Sequence, residues 1–156
     1  VHGLANFPYL EGHDFIQANY LKSRKALLEA FKTPPQSSLT IIRPDQPSPP
    51  TSPIPMSGQA DAQDRIGALG LRLFLDPLLG MDLSSGFASQ WKNDEYFYRN
   101  DELTWHLKMD SSETAEALFE KLAKIILPKL KRDQPDREIV FQLKKNRITF
   151  TNRPQK

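Results

Sequence analysis

The sequence contains no cysteine. That removes thiol nucleophiles, disulfides, thiolate zinc sites and iron–sulfur clusters at once, although it does not fix a redox compartment. Histidine is scarce: His2, His13 and His106 are the three present, and no two stand as H-x-x-x-H. A two-histidine zinc site would therefore need distant positions to converge. Neither G-x-x-x-x-G-K-[ST] nor G-x-G-x-x-G occurs, so there is no glycine-rich phosphate cradle, and no G-x-S-x-G elbow presents a serine. No apolar run approaches the roughly 18 residues needed to span a bilayer. The chain opens on Val1 without a basic-then-apolar leader, which reads as a processed or excised product. The residues nominate no catalytic group, no metal and no cofactor.

What is present is an ordinary globular composition. The 156 residues are 38% hydrophobic, 26% charged and 10% aromatic, enough for one domain, or one domain with a poorly packed arm. Charge is uneven, because residues 129–156 hold 9 basic and 3 acidic side chains against a formal net charge of +2 for the whole chain. A basic end can meet nucleic acid or an anionic surface. Most of these charges fall on an expected hairpin and its flanks, and aromatic residues do not interleave with them. The expectation is a solvated face, not a nucleic-acid site. No oligomeric state follows from these features.

Proline divides the chain. Residues 1–32 form an N-terminal helical segment, with Ile16, Tyr20, Leu27 and Phe31 near one stripe and Pro34-Pro35 stopping the helix over 11–32. Residues 33–58 read as a connector, since 8 of the 13 prolines lie between Pro34 and Pro55 and leave room for neither helix nor ladder. Residues 59–156 carry the main pattern, and the whole reads as one globular unit. A helix is expected over 60–80, apolar on two sides and ended or kinked at Pro77, followed by a short helix from Asp82 to Trp91.

From Tyr96 the period changes to two. A turn at Asn100-Asp101 would pair Tyr98 with Leu103 and Tyr96 with Trp105. It would also set Arg99 against Glu102, so the large rings share a face and a salt pair closes the turn. A helix follows over 111–127, with Ala115, Leu118, Leu122 and Ile126 at helical spacing. Asp110 is its expected cap, Ser111 is a second capping residue, and Pro128 is its expected end. A turn at Lys145-Asn146 would pair Leu143 with Ile148 and Phe141 with Phe150. The expected fold is α+β: N-terminal helices packed with a four-stranded antiparallel sheet of β-β-α-β-β order, one long helix crossing the sheet.

Trp91, Tyr96, Tyr98 and Trp105 are the candidate binding surface. The competing reading makes them a core layer under helix 111–127. Asp94 and Glu95 are neighbours on a strand and point to opposite faces, so they are not a hydrolase carboxylate pair. They read as solvating or capping acids. Glu11 and His13, either side of Gly12, could ligate a metal only with help from elsewhere. His106, between Thr104 and Lys108, is expected to be exposed.

Three stretches, Phe7-Pro8-Tyr9-Leu10-Glu11-Gly12, Thr33-Pro34-Pro35-Gln36-Ser37-Ser38 and the block from Trp91 to Leu122, together resemble a set of exported bacterial proteins. In the last block the resemblance rests on Trp91, Asp94, Tyr96, Leu103, Trp105, Asp110, Ser111, Ala115 and Phe119. Those proteins carry a zinc-protease-like H-E-x-x-H helix upstream of the matching region, and no such motif occurs here. Arg43, Gln90 and Met109 also depart from the pattern. The resemblance implies a non-catalytic C-terminal region with a structural, partner-binding or substrate-positioning role. It implies export to the periplasm or outside the cell, and a partner that is another protein or an N-terminal half carrying the metal site. The alternative is a stand-alone protein-interaction module that uses the Pro-rich arm or an aromatic sheet face.

Overall fold

The computed structural model describes residues 9–35, 37–43 and 60–155. The chain divides into two compact units, residues 1–48 and 49–156. Of the extended connector expected over 33–58, residues 36 and 44–58 lie outside the described residues, as do Phe7 and Pro8.

The first unit contains α1 (Glu11–Lys22), α2 (Arg24–Lys32) and α3 (Ser38–Ile42). The single helix expected over 11–32 is broken at Ser23. That residue is extended (φ −177°, ψ 158°), and its hydroxyl accepts the Ala26 N–H at 3.0 Å. A serine able to satisfy an orphan donor restarts the helix where the hydrophobic stripe alone would have continued it. The helix α3 was not expected in proline-rich sequence. It starts beyond Pro35 and is capped by Ser37 on the Leu39 N–H. Leu39 is the one buried residue of this unit among those described, while Tyr20, Leu21, Leu28 and Phe31 stay exposed.

The second unit is α+β, with a five-stranded antiparallel sheet: β1 (Ala62–Asp64), β2 (Trp91–Arg99), β3 (Glu102–Met109), β4 (Arg137–Lys144) and β5 (Arg147–Pro154), ordered β1-β2-β3-β5-β4. This corrects the four-stranded expectation. The strand β1 is three exposed residues with no apolar alternation, so the period-two signal had nothing to register. Helices α4 (Gly67–Leu79) and α5 (Met81–Ser89) precede β2. The helix expected from residue 60 thus begins later, and Pro77 sits inside its last turn without ending it.

Both hairpins have the expected register. Tyr98 faces Leu103 and Tyr96 faces Trp105; Leu143 faces Ile148 and Phe141 faces Phe150. Asn100 (φ 49°) and Asp101 (φ 62°) take the left-handed backbone that a tight two-residue hairpin turn demands, which Asn and Asp tolerate. The ion pair observed at this turn joins Asp101 to Arg137 at 2.7 Å, not Arg99 to Glu102.

The long helix departs from expectation at both ends. Ser111, not Asp110, is the N-cap of α6 (Ser112–Lys121): its hydroxyl accepts the Thr114 N–H at 3.1 Å, while Asp110 is exposed and its N–H reaches the Gln90 carbonyl. Pro128 does not end the helix. Residues Leu122–Ile126 form a π-helical turn, in which the Leu127 N–H reaches back to the Leu122 carbonyl, and α7 (Leu127–Asp133) continues through the proline. Proline lacks an N–H and crowds the carbonyl four residues earlier. The wider π turn relieves both conflicts.

The core lies between the helices and one sheet face. Leu118, Leu122 and Ile126 are buried on the helix side; Leu107, Met109, Ile139 and Ile148 are buried on the sheet side. The cap assignment is checked by urea unfolding of two variants. Ser111→Ala should lose about 0.5–2 kcal/mol. Asp110→Ala should stay within about 0.5 kcal/mol.

Candidate functional site

The site is built from one irregularity in β2. Strand register slips between Trp91 and Asn93, placing Lys92 in a β-bulge. Without the bulge, Trp91 and Asp94 would point to opposite faces; the extra residue turns both toward the helices. Asp94 is fully buried and receives four hydrogen bonds. Trp91 Nε1 donates to Oδ1 at 3.0 Å and Trp105 Nε1 to Oδ2 at 2.9 Å. The Ile66 N–H donates to Oδ2 at 3.0 Å and the Gly67 N–H to Oδ1 at 2.9 Å. The last two are orphan donors at the start of α4, where the helix dipole favours an anion. A carboxylate buried without donors would cost several kcal/mol, so all four partners are needed to hold it there. This acid was expected to be a solvated or capping group; it does accept the first N–H groups of α4, but it is buried, not solvated. The bulge that buries it has no signature in the sequence.

Asp94 fixes the start of α4 over β2, and α4 lays Phe74 edge-on against Trp105, with centroids 5.9 Å apart. Gly70 keeps the first turns tight, since a Cβ there would lie 2.7 Å from that of Ile66. On the other side of the sheet face, α7 supplies Leu130 and the residue that caps its C-terminus, Gln134. Between these walls runs a cleft of about 400 Å³ whose floor is Tyr96, Leu103, Trp105, Phe141 and Phe150. Its volume and apolar lining fall in the range of ligand pockets. Among the described residues, no charged side chain lines it.

Gln134 and Asn152 close one end and connect to a second, polar concavity of about 450 Å³ bordered by Tyr98, Asp101, Asp136 and Arg137. Here Arg137 donates to Asn152 Oδ1 at 2.7 Å and to Asp101 Oδ2 at 2.7 Å. Asn152 in turn donates to Gln134 Oε1 at 2.9 Å. Gln134 Nε2 has no hydrogen-bond partner among the described residues, which leaves one amide donor at the boundary between the two hollows.

The four aromatic candidates therefore separate. Tyr96 and Trp105 line the apolar cleft. Trp91 is buried under the helices, with its indole spent on Asp94. Tyr98 borders the polar concavity and donates to Asp101 at 3.1 Å; this bond and the carboxylate's charge push the phenol above its ordinary value of 10.0. Phe74, Leu130, Gln134, Phe141, Phe150 and Asn152 were not singled out beforehand. The Phe141–Phe150 pairing was legible, but its adjacency to Trp105 depends on β5 lying beside β3. Leu130 and Gln134 were lost to view when the helix was expected to stop at Pro128.

Elsewhere, His13 faces solvent with Nδ1 3.2 Å from Asp14, and the described residues hold no group of three His, Asp or Glu side chains placed to bind a metal. No described helix is long and apolar enough to cross a membrane. His106 is half-buried, not exposed: it shares a hydrogen bond with Thr149 at 3.1 Å and meets Phe97 edge-on at 5.9 Å. Burial first, and then Arg147, lower its pKa from 6.5, against a raising effect of Glu95.

Comparison with known protein families, with curated proteins and with solved structures finds no match.

Two measurements test this site. Asp94→Ala leaves four donors without an acceptor and should destabilise the domain by about 3 kcal/mol or more in urea, with both indoles changing environment in fluorescence. Asp94→Asn should fall between the variant and the parent. For His106, a lowered folded pKa means the unfolded chain binds the proton more readily. Stability should hold above pH 6.5 and be lost as pH falls from there through the folded value; His106→Gln should flatten that stretch of the stability–pH curve.

Proposed function

We propose that this chain is a non-catalytic binding module that holds an apolar side chain of a protein partner in the cleft between α4 and α7. The neutral aromatic floor of Tyr96, Trp105, Phe141 and Phe150 carries this reading, because such a surface gains most from an uncharged, apolar guest. The Gln134 amide supports it by offering one directional contact to a peptide carbonyl at the cleft's end. Among the described residues no histidine or carboxylate lines the cleft, which supports a role in recognition. The resemblance to the non-catalytic region of exported, zinc-protease-like bacterial proteins gives the same role a setting. There the cleft would position a substrate chain or a neighbouring domain of the same polypeptide. As a stand-alone protein, it would recognise a separate partner.

The two tryptophans provide an internal test. N-acetyl-leucine amide and N-acetyl-tryptophan amide, titrated in the millimolar range, should move the Trp105 indole N–H resonance and leave that of Trp91 nearly still. Leu130→Trp, which fills the cleft from α7, should weaken binding at least tenfold. Equal shifts at both indoles, or none at either, would sink the proposal.

A further inference from the structure

A second surface lies at the opposite end of the strands from the polar concavity. The register sets Lys108 directly against Arg147 and Arg147 directly against Lys144, so three cations stand abreast across β3, β5 and β4. Lys92 joins them from the bulge of the next strand, and Lys145 from the turn, where its φ is 56°. Lys92, Lys144, Lys145 and Arg147 are exposed and Lys108 is half-buried. Like charges directly opposite one another destabilise a sheet. At the other end Arg137 is neutralised by Asp101 and Arg153 by Glu138, and Arg99 alone makes no ion pair among the described residues. None of the five cations makes an ion pair among the described residues. The nearest acids in sequence and register are Asp94, Glu95 and Asp110, and Asp94 is buried on the helix-covered face with its four donors. Asp110 pairs with none of them, and Glu95 is buried and takes a hydrogen bond from Gln63.

We propose that this row binds the sugar–phosphate backbone of a nucleic-acid duplex. Strands about 4.8 Å apart put the three central charges within roughly 10 Å. A duplex carries one phosphate charge per about 1.7 Å of axis, so about six phosphates lie over that length and each cation of the row has one within reach. A bilayer presents its anionic headgroups more sparsely, and among the described residues the apolar neighbours of the row, Trp91, Leu107, Met109, Leu143 and Ile148, are not exposed to enter one. Single strands are bound through stacked aromatic rings, and among the described residues the ring beside the row, Trp91, is buried. The contact is with the backbone alone, so sequence preference is absent. This inference does not rest on the cleft.

The test is fluorescence anisotropy with a labelled mixed-sequence DNA duplex of about 20 base pairs, titrated with the full chain between 50 and about 200 mM salt. Binding should be micromolar at the low end, with a slope of log K against log salt of about −4. Lys144→Glu with Arg147→Glu should weaken binding at least tenfold and shrink the slope by about 2. The charge-matched pair Lys121→Glu with Lys131→Glu, on α6 and α7, should change it less than twofold. Circular dichroism checks both folds, and Lys144→Gln with Arg147→Gln replaces a variant that unfolds. No binding at 50 mM salt, equal loss in the two charge-reversed variants, or capture by phosphatidylserine vesicles without capture by the duplex would each overturn the assignment.

Discussion

The architecture of the second unit depends on one buried carboxylate. Asp94 accepts hydrogen bonds from both tryptophans and from the first turn of α4, and so joins three parts of the chain that share no contact in sequence. An aspartate is costly to bury, and the cost is offset only when donors converge on both oxygens. That requirement is geometric. It needs the bulge at Lys92, the helix start at Ile66-Gly67 and the Tyr96–Trp105 register together. The polar interaction therefore specifies where α4 sits, while apolar burial supplies most of the stability.

The cleft is a consequence of two such local solutions. On one side, the Asp94 network places α4 and hence Phe74 beside Trp105. On the other, the π turn at Leu122–Ile126 lets the helix pass Pro128 and carry Leu130 and Gln134 over the sheet. A helix stopped at the proline would leave Phe141 and Phe150 without a facing wall. A π turn inside a helix is a common accompaniment of functional sites, and here it builds one side of the cleft.

The sheet thus offers two chemically opposed surfaces. The helix-covered face holds a neutral, aromatic hollow. The end of the strands at Lys108, Arg147 and Lys144 concentrates positive charge that no acid among the described residues pairs. Apolar recognition gains from burial and is little affected by salt, whereas the cationic row acts through charge and is screened by it. The two can work on different partners or on different parts of one.

Sequence alone determined what is local. Period-two alternation with Asn100-Asp101 and Lys145-Asn146 fixed both hairpins and their facing residues, because side-chain parity and turn backbone act over a few positions. Helical spacing gave the apolar stripe of α6. The missing cysteine and phosphate motifs excluded whole reaction classes. Tertiary structure decided the rest. The short strand β1 has no pattern of its own and forms on the edge that β2 provides. The bulge shifts parity through backbone geometry that no residue type announces. Asp94 can be buried only because distant donors arrive together, and the basic row exists only because β5 lies between β3 and β4. Each of these depends on contacts between elements far apart in the chain, and such contacts leave no periodicity to read.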